Sequence, residues 1–369
     1  MNPDEQFCPN LDCGARGKVG AGNITIHSQK KRRYKCQECH KTFSETRGTA
    51  LYRVKKDRWL YVTVMTLLAY GCPVIAIVLA FGLDDETVRA WAKKAGAHCR
   101  QVHSHFMEHT YLDLGQVQAD EIKVRKQGGS VWMALAIMVS TRLWLGGVVG
   151  VNRDKFLIRE LAGQVRQWAL CRPLLLAVDG FSAYLKAFQQ AFRSPYKGGK
   201  GGRPRLYVWE EVAIVQVIKQ HAQNTLTIQR HIAQGCLALV ERLLAASQKG
   251  GVINTAFIER LNATFRQRLA CLVRRGRALA RQLDTLEAGM YLVGCVYNFC
   301  TCHKSLRLKL WITERRIHWV QRTPAIAAGL TDHSWSLEEL LMFKLPIQPF
   351  VPPKRRGRPP KCTLAAVSS

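Results

Sequence analysis

The stretch VQADEIKV, residues 117–124, is where the chain changes from helical patterning to strand patterning, and it carries Asp120. The apolar runs that follow are short and are interrupted by segments with helical periodicity. The elements predicted after this first strand are strands at 131–140 and 143–151, a helix at about 155–170, a strand at 174–178, a helix at about 181–192, and strands at 206–208 and 212–218. Because the strand at 174–178 leads directly into Asp179, two aspartates lie on separate strands of one predicted sheet.

This order of elements (three strands, a helix, a strand, a helix and a strand) matches the ribonuclease-H-like fold. That fold places one acidic residue on its first strand and a second at the end of its fourth. A long segment separates Ile218 from a further acidic residue, Glu259, and it contains a predicted helix at 237–246. We interpret this segment as an insertion before the last catalytic helix. A likeness of fold does not establish function, so the acidic residues must carry that argument.

The stretch INTAFIERLNATFRQRL predicts a long helix that carries Glu259. Glu259, Asn262 and Arg266 are spaced i, i+3 and i+7 and therefore share one helical face. From Glu259 to Arg281 the chain has seven arginines and no further acidic residue. A solvated basic face is the simple alternative. An arginine-rich helix that starts at a metal-binding glutamate favours the wall of a DNA channel, with Arg266 and Arg268 as DNA contacts.

The composition points to a polyanionic partner. Lys and Arg number 55 against 26 Asp and Glu, so the formal net charge is +29 and the pI is about 10.0. An excess of this size indicates nucleic acid first and an anionic membrane surface second. Hydrophobic residues make up 47% of 369 residues, which is enough for two or three domains with filled cores. The acidic start MNPDEQF does not resemble a secretory signal, so a cytoplasmic, nucleoid-associated protein is expected.

One uncharged run, Tyr61–Phe81, has about the length needed to span a bilayer. The sequence Gly71-Cys72-Pro73 interrupts it, and a proline there ends a helix near Tyr70. Two short buried helices are therefore predicted, with a membrane span as the alternative. We expect no membrane partner.

Four of the 13 cysteines form a C-x4-C pair and, further along the chain, a C-x2-C pair: Cys8, Cys13, Cys36 and Cys39. Two close pairs of thiols joined by a hairpin are typical of a zinc ribbon, and the segments NITIH and RRYKC alternate as strands do. Four thiolates complete a tetrahedral shell, so a structural Zn²⁺ is expected and His40 is left as a spare ligand. Unrelated free thiols are the alternative.

The segment that follows the cysteines has helical patterning. Gly82 separates two predicted helices, and either Asp84 or Asp85 can cap the second, with Val88 and Trp91 facing inward. This organisation is that of a helix-turn-helix, whose second helix enters the major groove. An ordinary helical hairpin is the alternative. The histidine-rich segment after it is interpreted as a linker helix.

Basic or polar side chains in three further segments are candidates for DNA contacts. The segments are the turn of the cysteine hairpin, the second helix of the helix-turn-helix, and the C-terminal KRRGRPPK, whose RGRP core resembles an AT-hook. A generic basic tail is the alternative for the last of these. The candidates are Lys31, Arg32, Arg33, Thr87, Arg89, Lys93, Arg356 and Arg358.

The fold class that these patterns predict is an α+β multidomain protein. The predicted domains are a zinc ribbon at 1–50, a helix-turn-helix and linker at 51–112, an α/β ribonuclease-H-like catalytic domain with an insertion before its last catalytic helix at 113–312, and a basic C-terminal tail with the AT-hook-like segment at 313–369.

With these motifs in this order, the chain resembles an insertion-sequence transposase of the DDE type and is most similar to the IS-one family. The resemblance extends to about residue 310 and rests on the ribbon cysteines, the helix-turn-helix, QADEI, VDGFSAY, INTAFIERLNATFRQRL and YNFCTCHKSLR. It implies Asp120, Asp179 and Glu259 as the catalytic triad. The gap between Asp179 and Glu259 is longer than the compact spacing of integrase-like enzymes, which leaves the role of the insertion open.

The resemblance also implies the chemistry. Asp120 would bridge two Mg²⁺ (or Mn²⁺) ions, while Asp179 and Glu259 each hold one; water cuts at the end of the element, and the freed 3′-hydroxyl attacks target DNA. Neighbouring strand residues face opposite ways, so only one of Asp120 and its rival Glu121 is expected to point at the metals. The expected partner is double-stranded DNA, as terminal repeats and target, bound by a homodimer or higher oligomer.

Two rival functions use the same motifs. The first is a zinc-ribbon and helix-turn-helix DNA-binding regulator whose ribonuclease-H-like domain is inactive. The second is a ribonuclease-H-like nuclease that cuts DNA without joining it. Metal-dependent nicking separates the regulator from the enzymes, and strand transfer separates the transposase from the nuclease.

Overall fold

The computed structural model describes residues 1–196, 203–222, 225–248, 251–273, 278–313 and 316–349. The chain divides into two compact units, one formed by Met1–Gly48 with the chain from Pro346, and the other by Thr49–Leu345. Arg356 and Arg358, the candidates in the AT-hook-like segment, lie outside the described residues. The fold is mixed α/β, with a six-stranded sheet in the larger unit and a cluster of four cysteines in the smaller one.

The smaller unit is a three-stranded antiparallel sheet formed by β1 (Ile24–Ser28), β2 (Arg33–Cys36) and β3 (Thr42–Ser44). The predicted hairpin between the two cysteine pairs is confirmed, because β1 and β2 pair across a turn at residues 29–32. Tyr34 and Phe43 pack beside the cysteines in a core too small to be stable from apolar burial alone.

The larger unit begins with three helices, α1 (Arg58–Ala69), α2 (Val74–Phe81) and α3 (Asp85–His109). As predicted, the uncharged run is broken at Tyr70–Pro73, and no helix among the described residues is long and apolar enough to cross a membrane. Gly82 ends α2 in the left-handed conformation that a residue without a side chain adopts most readily.

The start of α3 follows from its sequence. Asp84 is the N-cap and accepts a hydrogen bond from the Thr87 backbone nitrogen at 3.0 Å, and Val88 and Trp91 are buried as predicted. The histidine-rich segment is helical, as expected, and it forms the continuation of α3, which ends at His109. His98 and His103 face the core and bury their rings. The apolar stripe of α3 that begins with Val88 and Trp91 therefore continues through this segment.

The central elements that were predicted are all present in the predicted order. In chain order, the elements of this region are β4 (Gln116–Lys126), β5 (Gly129–Met138), β6 (Trp144–Gly150), α4 (Lys155–Trp168), β7 (Leu174–Val178), α5 (Ser182–Ala191), β8 (Arg193–Tyr196), β9 (Arg205–Val208), β10 (Val212–Ala222), β11 (Thr225–Gln234), α6 (Leu237–Gln248) and α7 (Ala256–Arg268). Two of these strands, β8 and β11, were not predicted. The large sheet has the strand order β11-β10-β7-β4-β5-β6, and β8 and β9 form a separate hairpin. Within the sheet β4, β7 and β10 run parallel, whereas β5, β6 and β11 are antiparallel to their neighbours.

The segment interpreted as an insertion is partly a strand. β11 pairs with β10 along its length and adds an outer strand to the sheet, and α6 then packs on β7 and β10 through Leu239, Val240 and Leu243. The sequence interpretation missed β11 because TLTIQRHIAQ is polar and short of apolar residues. Such a composition suits an outer strand exposed on most of its surface.

The remaining elements are α8 (Leu283–Cys295), a π-helical turn at Val296–Cys300, β12 (Leu308–Thr313), β13 (Arg316–Val320), α9 (Pro324–Ala327) and α10 (Leu337–Met342). α3 packs along α8, and Gly96 lies at the closest point, where any larger residue would meet the backbone of Ala288. Part of the predicted tail is therefore folded, since Trp335, Leu340 and Leu341 bury their side chains in the core.

The sheet separates two apolar layers. One face packs against α4 and α5, and the other against α3, α7 and α8. Alternation along β4 sends Ala119 to the first layer and Ile122 to the second, so consecutive residues of this strand meet different helices. This alternation also fixes the face of the sheet from which each acidic side chain of β4 projects.

Candidate functional site

The parallel pairing of β4 with β7 places Asp120 and Asp179 side by side. The pairing aligns Gln118 with Ala177 and goes no further, so Asp120 and Asp179 follow at equivalent positions, two residues on, where β7 ends. Both side chains point to the face of the sheet that carries α7. The two predicted aspartates, which are far apart in the sequence, therefore meet at one edge of the sheet.

Glu121 lies close to both aspartates, although it is not among the residues that line the cleft. One carboxylate oxygen from each of Asp120, Glu121 and Asp179 lies within 4.8 Å of the others. Glu121 starts from the opposite face, where Tyr184 donates a hydrogen bond to it at 2.6 Å. The expected alternation along β4 therefore holds, and of the two neighbouring acids only Asp120 lines the cleft.

Glu259 lies in the first turn of α7, and a glutamine two residues before Asp120 fixes this helix on the sheet. The side chain of Gln118 accepts hydrogen bonds from the backbone nitrogens of Phe257 and Ile258, both at 3.0 Å, and donates to the Asn254 carbonyl oxygen at 2.7 Å. The start of α7 is thereby tied to β4, and Glu259 opens into the same cleft as the aspartates.

Glu259 is nevertheless not one of the three carboxylates that lie within 4.8 Å of each other. Its side chain is held by Lys219 of β10, which forms an ion pair with it, and by Thr255, whose hydroxyl donates to it at 2.6 Å. Of the three acids in the predicted triad, the structure brings Asp120 and Asp179 close together, and Glu259 lines the same cleft from α7.

Two basic residues neutralise the carboxylates of the cleft. Arg153, which precedes the N-terminus of α4, forms ion pairs with Glu121 and with Asp179, the latter at 2.7 Å. Lys219 pairs with Glu259. Each pair lies on a surface that is only partly exposed, so screening by solvent is weaker than at an open surface.

The cleft shifts the protonation of its acids. Burial and, after it, the charge of Glu121 raise the pKa of Asp120 from 3.8 to about 7. Burial and the charge of Asp179 also raise the pKa of Glu121, against the hydrogen bonds from Tyr184 and Arg153. Burial opposes the shift at Glu259, but the hydrogen bonds from Lys219 and Thr255 outweigh it and lower the pKa. A carboxyl group with a pKa near neutrality, surrounded by other acids, is a common feature of metal and catalytic sites.

The cleft is open and has a volume of about 1260 Å³, large enough for an extended polymer to lie across it. One face of α7 forms its wall, and the predicted i, i+3, i+7 face is confirmed, since Glu259, Asn262 and Arg266 all line it. The amide of Asn262 donates to Asp120 at 2.8 Å, while its oxygen is buried and has no hydrogen-bond partner among the described residues.

These groups fit a divalent metal. Carboxylate and amide oxygens are the ligands that Mg²⁺ and Mn²⁺ prefer, and the buried Asn262 oxygen next to Asp120 lacks the partner that such a group normally has. An ion here would favour the ionised form of Asp120, whose pKa is raised first by burial and then by the neighbouring acids.

The four cysteines of the smaller unit form a second candidate metal site. Their sulfur atoms all lie within 4.8 Å of one another, with Cys8 and Cys39 at 3.6 Å and Cys13 and Cys36 at 3.8 Å. A tetrahedron of Zn–S bonds of about 2.3 Å would place its sulfurs ~3.8 Å apart. The geometry therefore suits a zinc ion closed off by four thiolates, and His40 does not belong to the group.

The candidate DNA contacts on the smaller unit lie in and beside the turn between β1 and β2. Lys31 and Arg32 are exposed, and Arg32 forms an ion pair with Glu45 at 2.6 Å. Arg33 is half-buried and donates to the backbone oxygen of Thr42 at 3.2 Å. Two of these three side chains are therefore already engaged within the protein.

The candidates on the helices differ in exposure. Arg89 and Lys93 are exposed, and each pairs with an acid, Asp85 and Asp284 respectively, while Thr87 is half-buried in the first turn of α3. Arg268 is only 9% exposed, and its guanidinium lies over the ring of Tyr70, 4.5 Å from the ring centre. Arg268 therefore packs inside the protein instead of facing the cleft.

Sequence reasoning missed several residues of the cleft. Arg153, Lys219 and Gln118 carry no motif that sets them apart from other basic or polar residues. Tyr184 could have been noticed in VDGFSAY. A tyrosine five residues after Asp179, in a helical segment, can place its hydroxyl near the end of the strand that leads into Asp179. No family model and no curated protein matches this chain.

Proposed function

We propose that this protein is a DDE-type transposase that cleaves and transfers DNA strands with two Mg²⁺ (or Mn²⁺) ions. The observation that carries the proposal is the convergence of Asp120 and Asp179, with Glu121 close to both, at an open cleft, one wall of which is a helix with Glu259 and Arg266. This oxygen-rich, partly buried arrangement in a protein of net charge +29 suits metal-assisted chemistry on a phosphate backbone.

The order of elements supports a ribonuclease-H-like domain. Three antiparallel strands come first, and two further strands then run parallel to the first of them. Asp120 lies on the first strand and Asp179 directly after the fourth, where that fold carries its acids. The outer strand β11 and helix α6 occupy the segment before α7. The long spacing to Glu259 therefore corresponds to one extra strand at the edge of the sheet and one extra helix packed on it.

The DNA-binding parts are proposed from the N-terminal half. A structural zinc in the four-cysteine site makes the smaller unit a zinc ribbon, with Lys31 at its exposed turn. Helices α2 and α3, joined at Gly82, form the helix-turn-helix, and Arg89 and Lys93 lie on the exposed side of its second helix. Both basic residues can exchange their acidic partners for phosphates, since exposed ion pairs contribute little free energy.

The chemistry of the site divides between the ions and the chain. When bound, Mg²⁺ ions would supply an activated water and charge stabilisation for the leaving 3′-oxygen. Asp120 and Asp179 would hold them, Glu259 would supply a further carboxylate from α7, and Asn262 orients Asp120 through its amide. Arg153 and Lys219 balance the carboxylate charges before metal and DNA enter.

The test uses purified full-length protein, Mg²⁺ and DNA that carries the sequences flanking its gene. Asp120→Ala, Asp179→Ala and Glu259→Ala should each lower strand cleavage by at least ~10³-fold, a loss typical of removing a central catalytic group. Their affinity for the same DNA should stay the same or rise, because negative charge is removed near phosphates. Asp332→Ala, at an exposed position outside the cleft, is the control.

Metal-dependent cleavage that survives in all three variants would show that the cleft is not the catalytic centre. Products joined to a second DNA molecule separate a transposase from a nuclease that only cuts. Short inverted repeats bounded by a direct duplication around the gene would support the same conclusion. The proposal includes terminal repeats and target DNA as partners, a homodimer or higher oligomer on DNA, and a nucleoid location.

One observation favours the rival function. Glu259 pairs with Lys219 and Arg153 spans Glu121 and Asp179, so the acids are neutralised without any metal. A DNA-binding regulator with an inactive domain could keep such a network for stability alone. It would bind the flanking DNA with the same salt dependence and would never nick it.

A further inference from the structure

The hairpin formed by β12 and β13 is unusual because both of its faces are exposed. Leu310 is 49% exposed on one face, and Trp311 and Trp319 are 60% and 40% exposed on the other. A two-stranded sheet is at best marginally stable by itself in water, and large apolar side chains in an exposed cluster commonly mark an interaction surface.

The base of the hairpin is fixed to the larger unit. The backbone nitrogen of His303 donates to the Arg322 carbonyl oxygen at 3.0 Å, and the Arg322 side chain donates to the Leu306 carbonyl oxygen at 2.7 Å. Leu306 and Thr323 are buried at this point. The hairpin therefore extends from a rigid root, with its exposed side chains at a defined place.

The register gives the two faces different chemistry. Lys309 lies opposite Trp319, and Trp311 lies opposite Ile317, so basic and aromatic side chains share one face. The guanidinium of Arg307 lies 4.1 Å from the ring centre of Trp319, and the ammonium of Lys309 lies 4.2 Å from that of Trp311. We call this face, formed by Arg307, Lys309, Trp311, Ile317 and Trp319, the Arg/Trp face. Stacking on the rings holds these positive charges in place, and no acidic side chain among the described residues forms an ion pair with Arg307 or Lys309.

Charge complementarity selects the occupant. From Lys304 to Arg322 the sequence has six basic residues and a single acidic one. A second copy of this surface would meet like charges, whereas a polyanion would be attracted. The major groove of DNA, about 12 Å wide, admits a two-stranded β-ribbon, and basic and aromatic side chains then meet phosphates and base edges.

We propose that the β12–β13 hairpin is a DNA-binding ribbon, and that its Arg/Trp face binds duplex DNA outside the acidic cleft. This proposal extends the proposed function, because the polymer that is bound is DNA in both. It does not depend on catalysis, because a regulator with an inactive cleft would bind DNA through the same face.

The experiment measures binding of full-length protein to a 30-bp DNA duplex of arbitrary sequence, without added Mg²⁺, at several salt concentrations. The double variant R307A/K309A should weaken binding on the order of 10-fold and lower the slope of log affinity against log salt by about 2, because two phosphates would no longer be neutralised. Trp311→Ala should weaken binding with little change in that slope, because it removes no charge.

Leu310→Ser, on the opposite face of the same strand, is the matched control and should leave affinity within about two-fold of the parent. Circular dichroism and the melting temperature show that each variant is folded. If R307A/K309A keeps both its affinity and its slope, the proposal is wrong. It is also overturned if Trp311→Ala leaves DNA binding intact but dissociates a dimer in sedimentation, since the face would then join two copies of the chain.

The same variants separate this proposal from the catalytic one. Cleavage that is lost in Asp120→Ala while the ribbon variants alone change the salt slope supports both proposals. A ribbon effect without any metal-dependent cleavage supports the ribbon and contradicts the transposase. Cleavage by the parent protein, together with unchanged DNA binding in the ribbon variants, supports the transposase and contradicts the ribbon.

Discussion

The four-cysteine site and the acidic cleft are both candidate metal sites, but they are assembled in different ways. The cysteines all lie in the short segment from Cys8 to Cys39 and meet across one hairpin. The cleft draws on β4, on the end of β7, on β10 and on α7, from Asp120 to Glu259. The first site is closed by its own four sulfurs, whereas the second opens to solvent and keeps basic residues beside its acids.

This contrast shows that a structural site can be local but an open one needs a scaffold. Four thiolates satisfy a zinc ion completely, so its binding free energy becomes folding free energy for a small unit. Carboxylates that must keep a ligand position free repel one another, and a larger core must hold them together. Substitutions at either site test this comparison.

The greatest loss is expected at the cysteines. Cys36→Ser removes one of four ligands from a site whose apparent binding free energy in comparable peptides is about 10–16 kcal/mol, so the smaller unit should lose zinc and unfold. Metal analysis should fall from about one equivalent of zinc to none, and limited proteolysis should cut between Met1 and Gly48. The control is Cys302→Ser, at an exposed cysteine of the larger unit. Full zinc content in Cys36→Ser would show that the cluster is not a zinc site.

A smaller effect is expected at Asp120, and it depends on pH. The pKa of this group is about 7 in the folded protein against 3.8 ordinarily, so the folded state holds a proton that the unfolded chain releases. Stability is therefore lost as the pH rises from about 4 to 7 in the absence of metal. Each pKa unit corresponds to about 1.4 kcal/mol, and Asp120→Asn should stabilise the protein by roughly 2–4 kcal/mol at pH 8 and hardly at pH 4.

Thermal unfolding at both pH values, in buffer without added divalent ions, measures this difference. Asp4→Asn, at an exposed aspartate, serves as the control and should change neither melting temperature. An equal stabilisation at pH 4 and pH 8 would mean that the substitution acts through packing and not through the charge of Asp120.

Glu121 and Glu259 are expected to contribute differently to metal binding. Glu121 lies in the cluster with the two aspartates, whereas Glu259 lies outside that cluster and pairs with Lys219. Without DNA, Glu121→Gln should weaken binding of Mn²⁺ by about 10–100-fold, the range found when a group at or next to a metal is replaced, and Glu259→Gln should weaken it less. Calorimetric titration with Mn²⁺ measures both.

The reverse order would show that Glu259 moves into the cluster when metal binds and that Glu121 serves only as the partner of Arg153 and Tyr184. The glutamine keeps an oxygen that can accept from Tyr184, so Glu121→Gln isolates the charge. Retained far-ultraviolet circular dichroism checks that neither variant has unfolded.

Local patterns in the amino-acid sequence were enough to specify much of the structure. Apolar periodicity and turn residues placed the strands that carry Asp120 and Asp179, and Gly82 and Asp84 marked where one helix ends and the next begins. The paired cysteines specified their own hairpin, because ligands close in sequence need only one turn to meet. These features depend on neighbours a few residues away, which is what a sequence pattern records.

The rest of the cleft came from tertiary packing. Strand register set Asp120 beside Asp179, side-chain packing brought Glu121 close to both, and Gln118 fixed the start of α7. Arg153 and Lys219 entered from separate elements with no local signal. Register and helix docking depend on the packing of distant side chains in one core, so the identity of the carboxylates was readable from the sequence but their mutual geometry was not.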